Sequence, residues 1–420
     1  MNPSSVHASI ITIGDELLIG QTIDTNSAWI AQELNKIGVW VHRRIAVGDE
    51  WKDIWQSLDE ESKLSQIIII TGGLGPTADD ITKPLLCQYF GGKLVVNEDA
   101  RNNVINIFEN ILKRPLLERN LKQAEVPDVC TVIQNKRGTA PGMWFEKDGK
   151  VYVSMPGVPH EMKGMMINYV LPHLQQRLHL PPIVHRTLLT AGIGESFLAE
   201  RIKEFEATLP RNIKLAYLPN YGMVKLRLTA KGNDARIFAE LEAEFDMLKQ
   251  QISDVLVSDE DKSMQQVVGE LLKTKKKTLS TAESCTGGYI SHLITSVAGS
   301  SEYFKGGVVS YANEAKEKVL HVPHKTLQSS GAVSEETVTE MARGALKALG
   351  TDYALATSGI MGPDGGTPEK PIGTVWVAAA STRDIQAHKF HFRFDRSRNI
   401  ELTATNALNM LRKFILENES

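Results

Sequence analysis

The sequence predicts a multidomain α/β protein. Its 420 residues are too many for one ordinary hydrophobic core, which favours two or three separate cores. Strand-like apolar runs alternate with helix-like patterns up to about residue 172 and again from about residue 260, as is typical of α/β units. Between these two segments the pattern is that of a small α+β unit. We therefore predict domains at residues 1–172, 180–258 and 260–420.

The first domain is predicted from a strand that is buried on both faces and from the loop that follows it. Residues 66–70 form a run rich in isoleucine, typical of a central parallel strand. A helix beginning near Thr77 or Asp79 would present free N–H groups to a phosphate. The glycines that would let the backbone approach a ligand are Gly72, Gly73 and Gly75. The loop matches neither a GxGxxG fingerprint nor a Walker A motif, and a purely structural turn is the alternative.

Two acidic pairs are predicted to lie at the carboxyl ends of strands in this domain, the edge where open α/β sheets bind ligands. Asp15 and Glu16 end the first apolar run, and Asp79 and Asp80 follow the Gly-rich loop. Carboxylates beside a phosphate would repel it unless a divalent cation lay between them. The four acids therefore indicate a site for Mg²⁺, Mn²⁺ or a similar ion. Favourable acids in the first turn of a helix are the alternative interpretation of the second pair.

The middle segment is predicted as strand, helix, two strands, helix and strand. Residues 224–228 alternate between apolar and polar, and apolar residues recur at helical spacing from Ile237 to Leu248. Residues 180–182, Leu-Pro-Pro, look like a linker before it. The segment resembles a KH-type fold, but residues 192–195 lack the spacing of the GXXG clamp with which KH modules bind nucleic acid. We therefore expect a scaffold or dimerisation role.

The third domain is predicted to open with a helix over residues 263–272 and to return to α/β alternation. A short apolar stretch leads into Ser284, and apolar residues then recur at helical spacing. Ser284 would lie at or just before a helix N-terminus, where free N–H groups and the helix dipole favour an oxyanion. An ordinary helix N-cap is the alternative interpretation of this serine.

Lys316 is the candidate base for Ser284. If Asn313 caps a helix that begins at Glu314, the lysine falls in the first turn, where the helix dipole should lower its pKa. A serine hydrolase that lacks a useful histidine needs such a partly neutral lysine. A solvated surface lysine is the alternative. Tyr311, at the end of the preceding strand, could orient the proton transfer or simply end the strand.

Two glycine-containing segments could supply backbone N–H groups to the same site. The residues that carry them are Thr286, Gly287 and Gly288 after the serine, and Gly359 and Gly362 in the loop of residues 358–366. A hydroxyl nucleophile, a lysine base and exposed amides are together what amide hydrolysis requires. Cys285 is a competing nucleophile, but His292 is poorly placed to form a dyad with it. We therefore expect Cys285 to be a small buried residue.

Composition limits the possible partners. A net charge of -3 supplies no broad field for attracting nucleic acid or an anionic membrane. Three cysteines, an odd and sparse count, favour a reducing compartment. No stretch approaches the roughly 20 apolar residues of a membrane span, and the first residues do not resemble a signal peptide. We therefore expect a cytoplasmic protein that binds neither nucleic acid nor membrane.

Residues 281–316, with residues 331–334 and 358–366, resemble the carboxyl-terminal domain of the CinA family, competence/damage-inducible protein A. That domain is similar to nicotinamide-nucleotide amidases, which convert nicotinamide mononucleotide to nicotinate mononucleotide and ammonia. The resemblance implies that Ser284 is the nucleophile, Lys316 the general base and Tyr311 its partner. It also implies that Ser358 is a further active-site hydroxyl and that the amidase needs no cofactor.

Residues 14–26, 71–82 and 154–162 resemble the amino-terminal domain of the same family. That domain is similar to molybdopterin-binding domains and is associated with metal-dependent hydrolysis of ADP-ribose to AMP and ribose 5-phosphate. The resemblance implies that the Gly-rich loop, Pro156 and Gly157 hold the nucleotide, with Asn26 as a further candidate that could instead cap a helix. It implies a divalent metal ion at the acidic pairs. Which of the four acids would bind the metal stays open.

Together the two resemblances imply a bifunctional hydrolase that acts on products of NAD breakdown. It would comprise a molybdopterin-binding-like α/β domain, a small α+β KH-like domain and an α/β amidase domain, and we expect a homodimer. A competence-linked adaptor protein, which binds a nucleotide or pterin without amino-terminal catalysis, is the alternative. The sequence shows no basic face and no interleaving of aromatic and basic residues, which argues against DNA binding.

Overall fold

The computed structural model describes residues 6–419 except for 78, 179–182, 221 and 232–234. The predicted linker at residues 180–182 therefore lies outside the described residues. The chain divides into two compact units, residues 1–184 with 231–237 and residues 185–230 with 238–420. Within the described residues, none of the helices combines the length and apolar character needed to cross a bilayer.

The first unit contains a six-stranded sheet in the order β2-β1-β3-β8-β7-β6 and a separate two-stranded sheet of β4 and β5. Its strands are β1 (His7–Ile13), β2 (Trp40–Val47), β3 (Ile67–Thr71), β4 (Leu94–Val96), β5 (Glu125–Pro127), β6 (Thr131–Ile133), β7 (Gly142–Lys147) and β8 (Lys150–Met155). Strands β2, β1, β3 and β8 run parallel, whereas β7 and β6 are antiparallel to their neighbours. The carboxyl ends of β1, β3 and β8 consequently meet at one edge of the sheet.

Helices cover both faces of this sheet. They are α1 (Asp15–Leu18), α2 (Thr25–Lys36), α3 (Trp51–Leu64), α4 (Thr82–Phe90), α5 (Glu98–Asn106), α6 (Glu118–Leu121), α7 (Pro159–Met165) and α8 (Leu171–Leu178), with π-helical turns at Ile107–Ile111 and Met166–Val170 and a 3₁₀ turn at Lys122–Ala124. Strand β3 is buried on both faces of the sheet. Ile67 and Ile69 pack into the core on one face, while Ile68 and Ile70 pack into the core on the other. The predicted central strand is thus confirmed.

The small α+β segment forms a four-stranded sheet in the order β10-β11-β9-β12. Its elements are β9 (Ile183–Ala191), α9 (Glu195–Arg201), α10 (Lys203–Thr208), β10 (Ile213–Asn220), β11 (Met223–Lys231), α11 (Ala235–Gln251) and β12 (Leu256–Ser258). This order matches the predicted one, except that the first helix is divided in two at Ile202. Alternation along β11 buries Val224, Leu226 and Leu228, as the period-2 pattern predicts.

The rest of the second unit is built on a five-stranded sheet in the order β14-β13-β15-β16-β17. Its strands are β13 (Leu279–Glu283), β14 (Phe304–Val309), β15 (Tyr353–Gly359), β16 (Thr374–Ser381) and β17 (Ile385–His391). Its helices are α12 (Met264–Lys275), α13 (Tyr289–Thr295), α14 (Asn313–Leu320), α15 (His324–Ser330), α16 (Glu335–Leu349) and α17 (Arg396–Asn418), with a 3₁₀ turn at Ser300–Glu302. Strand β13 pairs in parallel with both β14 and β15, so the three carboxyl ends lie side by side.

Candidate active sites

The candidate amidase site lies at this shared carboxyl edge. Ser284 follows β13 directly, Lys316 lies in α14 after β14, and Ser358 is the penultimate residue of β15. In the sheet, Glu283 is opposite Val309 on one side and Thr357 on the other, which sets these three segments at the same height. A cavity of about 190 Å³ opens there, lined by Ser284, Tyr311, Lys316, Ala332, Ser358 and Arg396.

Lys316 is buried against Ser284. Its Nζ lies 3.1 Å from Ser284 Oγ, and the lysine is only 1% exposed. Two backbone carbonyl oxygens also contact Nζ, that of Ser310 at 2.8 Å and that of Tyr311 at 3.3 Å. Burial lowers the pKa of Lys316, since taking an ammonium out of water disfavours its charged form. The surface-lysine interpretation is therefore wrong.

The predicted helix start is wrong by one residue, because α14 begins at Asn313 and Ala312 is its N-cap. Lys316 does lie in the first turn, and its amide donates to the carbonyl of Ala312. The leading cause of its lowered pKa is burial, however, and not the helix dipole from which the shift is predicted. Local sequence could place the residue on a helix but could not show that the ammonium is buried.

Tyr311 contacts Lys316 through its carbonyl, not through its side chain. The tyrosine is 63% exposed, and its phenol accepts a hydrogen bond of 3.0 Å from Arg396 Nη2. A second nitrogen of the same guanidinium, Nη1, donates to the carbonyl of Gly362 at 2.8 Å. The structure places the backbone carbonyl of Tyr311 on Lys316 and its phenol on Arg396, so the relay through the phenol stays a prediction.

Arg396 is absent from the sequence-based predictions, although it lines the cavity. It is the first residue of α17, directly after the N-cap Asp395. A cation at a helix N-terminus opposes the helix dipole. This local conflict was the signal in the sequence that could have marked the residue.

Ser358 is buried, and its hydroxyl donates to the carbonyl of Ala332 at 2.6 Å. The Ser358 side chain therefore borders the cavity, but its hydroxyl proton is already donated to a backbone carbonyl. A side chain at the next residue, Gly359, would meet Val375 at 2.8 Å and the carbonyl of Thr374 at 2.9 Å. We conclude that Gly359 is required for strand packing, whereas Gly362 supplies a carbonyl to Arg396.

The amides predicted to bind an oxyanion are mostly engaged within the protein. The amide of Gly287 donates to the carbonyl of Ser284 at 3.2 Å, and that of Gly288 donates to the carboxylate of Glu283 at 3.1 Å. Helix α13 begins only at Tyr289, after a turn. The prediction that Gly287 and Gly288 serve the substrate is therefore corrected, and the amides of Cys285 and Thr286 are the nearest candidates.

Cys285 is buried beside Ser284, and burial raises the pKa of its thiol to about 12. At neutral pH such a thiol is protonated and weakly nucleophilic. Its side chain packs into the apolar core that contains Leu279 and Leu355. The expectation of a small buried residue is confirmed, which leaves Ser284 as the nucleophile candidate of this turn.

In the first unit, Asp15 pairs with Asp49, an acid absent from the predicted set. The amide of Asp15 donates to Asp49 Oδ2 at 3.1 Å, and the amide of Asp49 donates to Asp15 Oδ1 at 3.2 Å. Burial, followed by the charges of Asp15, Glu16 and Asp79, raises the pKa of Asp49. The sequence carries a signal for this residue, because Gly-Asp-Glu occurs at 14–16 and again at 48–50.

The second acidic pair separates into two roles. Asp80 organises the Gly-rich loop: it accepts from the amide of Gly75 at 2.7 Å and from that of Thr77 at 2.9 Å, and also from the Thr77 hydroxyl. Asp79 is exposed. Within the described residues, no three acidic, histidine or cysteine side chains form a complete set of metal ligands.

The predicted nucleotide-binding residues do come together. Asn26 Nδ2 donates to the carbonyl of Gly157 at 2.6 Å, and the amide of Gly72 donates to the carbonyl of Met155 at 3.1 Å. Gly72 has a φ of 114°, and a side chain there would lie 2.1 Å from the carbonyl of Ile13. Pro156 accepts a hydrogen bond from the hydroxyl of Thr71. The Gly-rich loop is thus packed against residues 156–157.

Two buried polar atoms near this loop have no hydrogen-bond partner among the described residues, Asn26 Oδ1 and Thr82 Oγ1. A side chain on Gly73 would lie 2.1 Å from Thr82 Oγ1 and would clash with it, so a glycine is needed beside that hydroxyl. Helix α4 begins at Thr82, later than the predicted start near Thr77 or Asp79, because Asp80 holds the intervening residues in a loop.

Family models match three consecutive stretches of the chain. They are a probable molybdopterin binding domain over residues 9–176, a damage-inducible protein CinA KH domain over 185–259 and a CinA C-terminal domain over 261–415. A CinA-like protein of Flavobacterium psychrophilum is 46% identical over 415 residues, which cover 98% of this chain and 99% of that one. The chain belongs to the CinA family.

Other CinA proteins match as broadly. A CinA-like protein of Salinibacter ruber is 39% identical over 407 residues, covering 97% of this chain and 98% of its own. Among solved structures, the competence/damage inducible protein CihA from Agrobacterium tumefaciens is 36% identical, covers 36% of this chain and 96% of its own, and gives a TM-score of 0.35. The three family models and the full-length relatives confirm the family and the predicted multidomain α/β fold.

Proposed function

We propose that this CinA-family protein deamidates nicotinamide mononucleotide with Ser284 and Lys316. The observation that carries the proposal is the buried contact of 3.1 Å between Lys316 Nζ and Ser284 Oγ at the floor of a cavity. The CinA resemblance supports the choice of substrate. A buried lysine next to a serine is otherwise a costly arrangement, since an unpaired ammonium is disfavoured away from water.

The surroundings of Lys316 suit an uncharged amine. A neutral amine carries two N–H hydrogens and one lone pair. The carbonyl oxygens of Ser310 and Tyr311 accept the two hydrogens, which leaves the lone pair directed at the Ser284 hydroxyl. A lone pair in that position is what a general base requires.

The reaction then proceeds in two halves. As Ser284 Oγ attacks the carboxamide carbon, its proton passes to Lys316 Nζ, and the carbonyl electrons move onto oxygen. The tetrahedral intermediate collapses, the C–N bond breaks, and the proton on Lys316 passes to the departing nitrogen, which leaves as ammonia. Water then attacks the acyl ester while Lys316 takes its proton and returns it to Ser284 Oγ, releasing nicotinate mononucleotide.

Two further groups fit this substrate. The amides of Cys285 and Thr286 lie next to the nucleophile, so they are the candidates to bind the oxyanion. The guanidinium of Arg396 borders the cavity and is held there by Tyr311 and Gly362. A fixed guanidinium is suited to the phosphate of a mononucleotide.

We infer a second activity, metal-dependent cleavage of ADP-ribose, for the first unit. Asp15 and Asp49 lie together, and burial, followed by nearby negative charges, raises the pKa of Asp49. A cation would relieve the repulsion between these charges. Side chains at Gly14 and Gly48 would come within 2.6 Å of the carboxylates of Glu16 and Asp15, so both glycines leave these acids their space. These oxygen donors suit a hard divalent cation.

Asp15 and Asp49 would hold that cation, with Glu16 and Asp79 beside it. Mg²⁺ is commonly bound by one or two carboxylates together with substrate phosphates, so an incomplete set of protein ligands fits an ion that arrives with the nucleotide. When bound, the ion would neutralise phosphate charge and activate water. Asn26 Oδ1 and Thr82 Oγ1, which are buried without a hydrogen-bond partner among the described residues, lie next to the loop that would hold the nucleotide.

One experiment tests both activities. The protein is incubated separately with nicotinamide mononucleotide and with ADP-ribose, each with and without EDTA, and the products are separated by chromatography. We expect deamidation under both conditions and ADP-ribose cleavage only without EDTA. Ammonia release abolished by EDTA and restored by metal would contradict the Ser–Lys mechanism. Binding of either nucleotide without turnover would favour the adaptor role instead.

A further inference from the structure

Glu283, directly before the nucleophile, is fully buried and receives five hydrogen bonds. Its Oε1 accepts from the amide of Ser291 at 2.8 Å and from the Ser291 hydroxyl at 2.6 Å. Its Oε2 accepts from the Thr286 hydroxyl at 2.7 Å, the amide of Ile290 at 3.0 Å and that of Gly288 at 3.1 Å. The carboxylate therefore binds both the turn after Ser284 and the first turn of α13.

The hydroxyl groups around Glu283 form an ordered chain. Thr286 and Ser291 each have a single hydroxyl proton, and both protons point to the carboxylate. The adjoining hydroxyls must then donate inward, Thr357 to Thr286 at 2.8 Å and Thr281 to Ser291 at 2.8 Å. Thr281 and Thr357 are fully buried. Each of these four hydroxyl groups therefore donates its single proton, so the network specifies one set of hydrogen-bond directions.

Glu283 is also connected to the proposed base through its backbone. Its carbonyl accepts from the amide of Ser310 at 2.8 Å, and the carbonyl of Ser310 accepts from Lys316 Nζ at 2.8 Å. On the other side, the amide of Ser284 donates to the carbonyl of Thr357 at 2.9 Å. Residues at the ends of the two strands that flank β13, Ser310 and Thr357, thus accept hydrogen bonds from the two partners of the dyad.

We propose that Glu283 is a positioning residue for deamidation, which fixes the turn of residues 284–288 so that the Ser284 hydroxyl and the Thr286 amide face the substrate together. This inference rests on the proposed amidase function. Because Glu283 occupies the amides at the start of α13, that helix end cannot serve the oxyanion, and the task falls to the amides of Cys285 and Thr286. The bond from the Thr286 hydroxyl holds that residue, and with it its amide, in place.

The test is Glu283→Gln. One carboxylate oxygen becomes an NH₂ group, which would face N–H or O–H donors whichever way the amide is turned. We expect kcat for nicotinamide mononucleotide, measured per folded molecule, to fall about 100-fold, because small misplacements of reacting groups cost rates of that order. KM should change by no more than about twofold, since ground-state contacts stay. Glu283→Asp, which keeps the charge but is shorter, should recover part of kcat.

The matched control is Glu61→Gln. Glu61 is equally buried, in the first unit, and accepts a hydrogen bond of 2.6 Å from the Ser9 hydroxyl. This variant should leave deamidation by the folded protein unchanged. A Glu283→Gln variant with normal kcat per folded molecule, or with normal kcat and raised KM, would overturn the inference.

If Glu283→Gln does not fold, Ser291→Ala provides the test, because it removes only one of the five hydrogen bonds. We expect kcat to fall by about threefold to tenfold with KM unchanged. A normal kcat in Ser291→Ala would then count against positioning by this network.

A substrate-independent readout separates this inference from the proposed function. A fluorophosphonate forms a bond to an activated serine oxygen and releases fluoride, so mass spectrometry gives the labelling rate of Ser284. We expect slower labelling in Glu283→Gln than in the wild type. If the wild type labels but does not deamidate the mononucleotide, only the substrate assignment fails. If the wild type does neither, both proposals are overturned.

Discussion

The two candidate sites differ in the groups that surround their ionisable side chains. In the second unit, Lys316 is buried, contacts two carbonyls and one hydroxyl, and has a lowered pKa. In the first unit, Asp49 lies among like charges, and Asn26 Oδ1 and Thr82 Oγ1 are buried without a partner among the described residues. The first arrangement places a candidate base beside a hydroxyl. The second brings like charges together, a repulsion that a bound cation would offset.

Both sites nevertheless occupy the same topological position, the carboxyl edge of parallel strands. The difference therefore lies in the side chains placed there. Glu283 accepts hydrogen bonds from the amides of Gly288 and Ile290, whereas Asp15 and Asp49 each accept a hydrogen bond from the amide of the other. The contrast teaches that a shared edge supplies a place for chemistry, while the charges of the side chains placed there distinguish the two sites.

The largest expected effect separates the two sites completely. Ser284→Ala removes the nucleophile, so ammonia release from nicotinamide mononucleotide should fall by about 10⁴-fold or more. ADP-ribose cleavage by the same preparation should not change and serves as the internal control. Substantial deamidation by this variant would remove the basis for the dyad.

Replacing the base should have the next largest effect. Lys316→Met keeps an apolar chain of similar length in the buried position and should lower kcat about 10³-fold, the usual contribution of a general base. Lys318→Met, on the exposed face of the same helix, is the matched control and should behave like the wild type. Equal activity of the two variants would contradict the assigned role.

The pH dependence follows from the same residue. Because the base must be neutral, kcat/KM should rise with pH through the pKa of Lys316. Burial lowers that pKa, so the rise should be complete below the ordinary lysine value of about 10.4. A profile that still climbs above that value would contradict a buried neutral amine, and ADP-ribose cleavage provides the comparison.

In the first unit, Asp49→Asn should lower ADP-ribose cleavage about 100-fold and raise the metal concentration needed for it. Burial and neighbouring charges raise the pKa of Asp49 in the folded protein, so its charged form opposes folding at neutral pH. The variant should therefore unfold at a higher temperature in EDTA than the wild type. Glu50→Gln, at the exposed neighbouring acid, should change neither property.

The smallest effect is expected at Tyr311. Because its carbonyl contacts Lys316 while its phenol contacts Arg396, Tyr311→Phe should leave the base intact and lower kcat/KM less than about tenfold, mainly through KM. A loss as large as that of Lys316→Met would restore the phenol relay predicted from the sequence.

Several strands and several candidate site residues can be predicted from local sequence patterns. The isoleucine run of β3 and the alternation along β11 give the strands, because side-chain periodicity is a property of a few successive residues. Ser284 and Lys316 were found from residue type and from their places at a strand end and in a first helical turn. The acids Asp15 and Glu16 were found in the same way.

Tertiary structure alone decided how these residues function. The contact of Lys316 with Ser284, the position of Arg396 beside Tyr311 and the pairing of Asp15 with Asp49 all join segments far apart in the chain. The sequence predicts that the amides of Gly287 and Gly288 are free to bind an oxyanion. In the structure they donate hydrogen bonds to the carbonyl of Ser284 and the carboxylate of Glu283. Burial and long-range hydrogen bonds arise only when separate elements pack, so a local pattern names the chemical groups but does not fix their charge or partners.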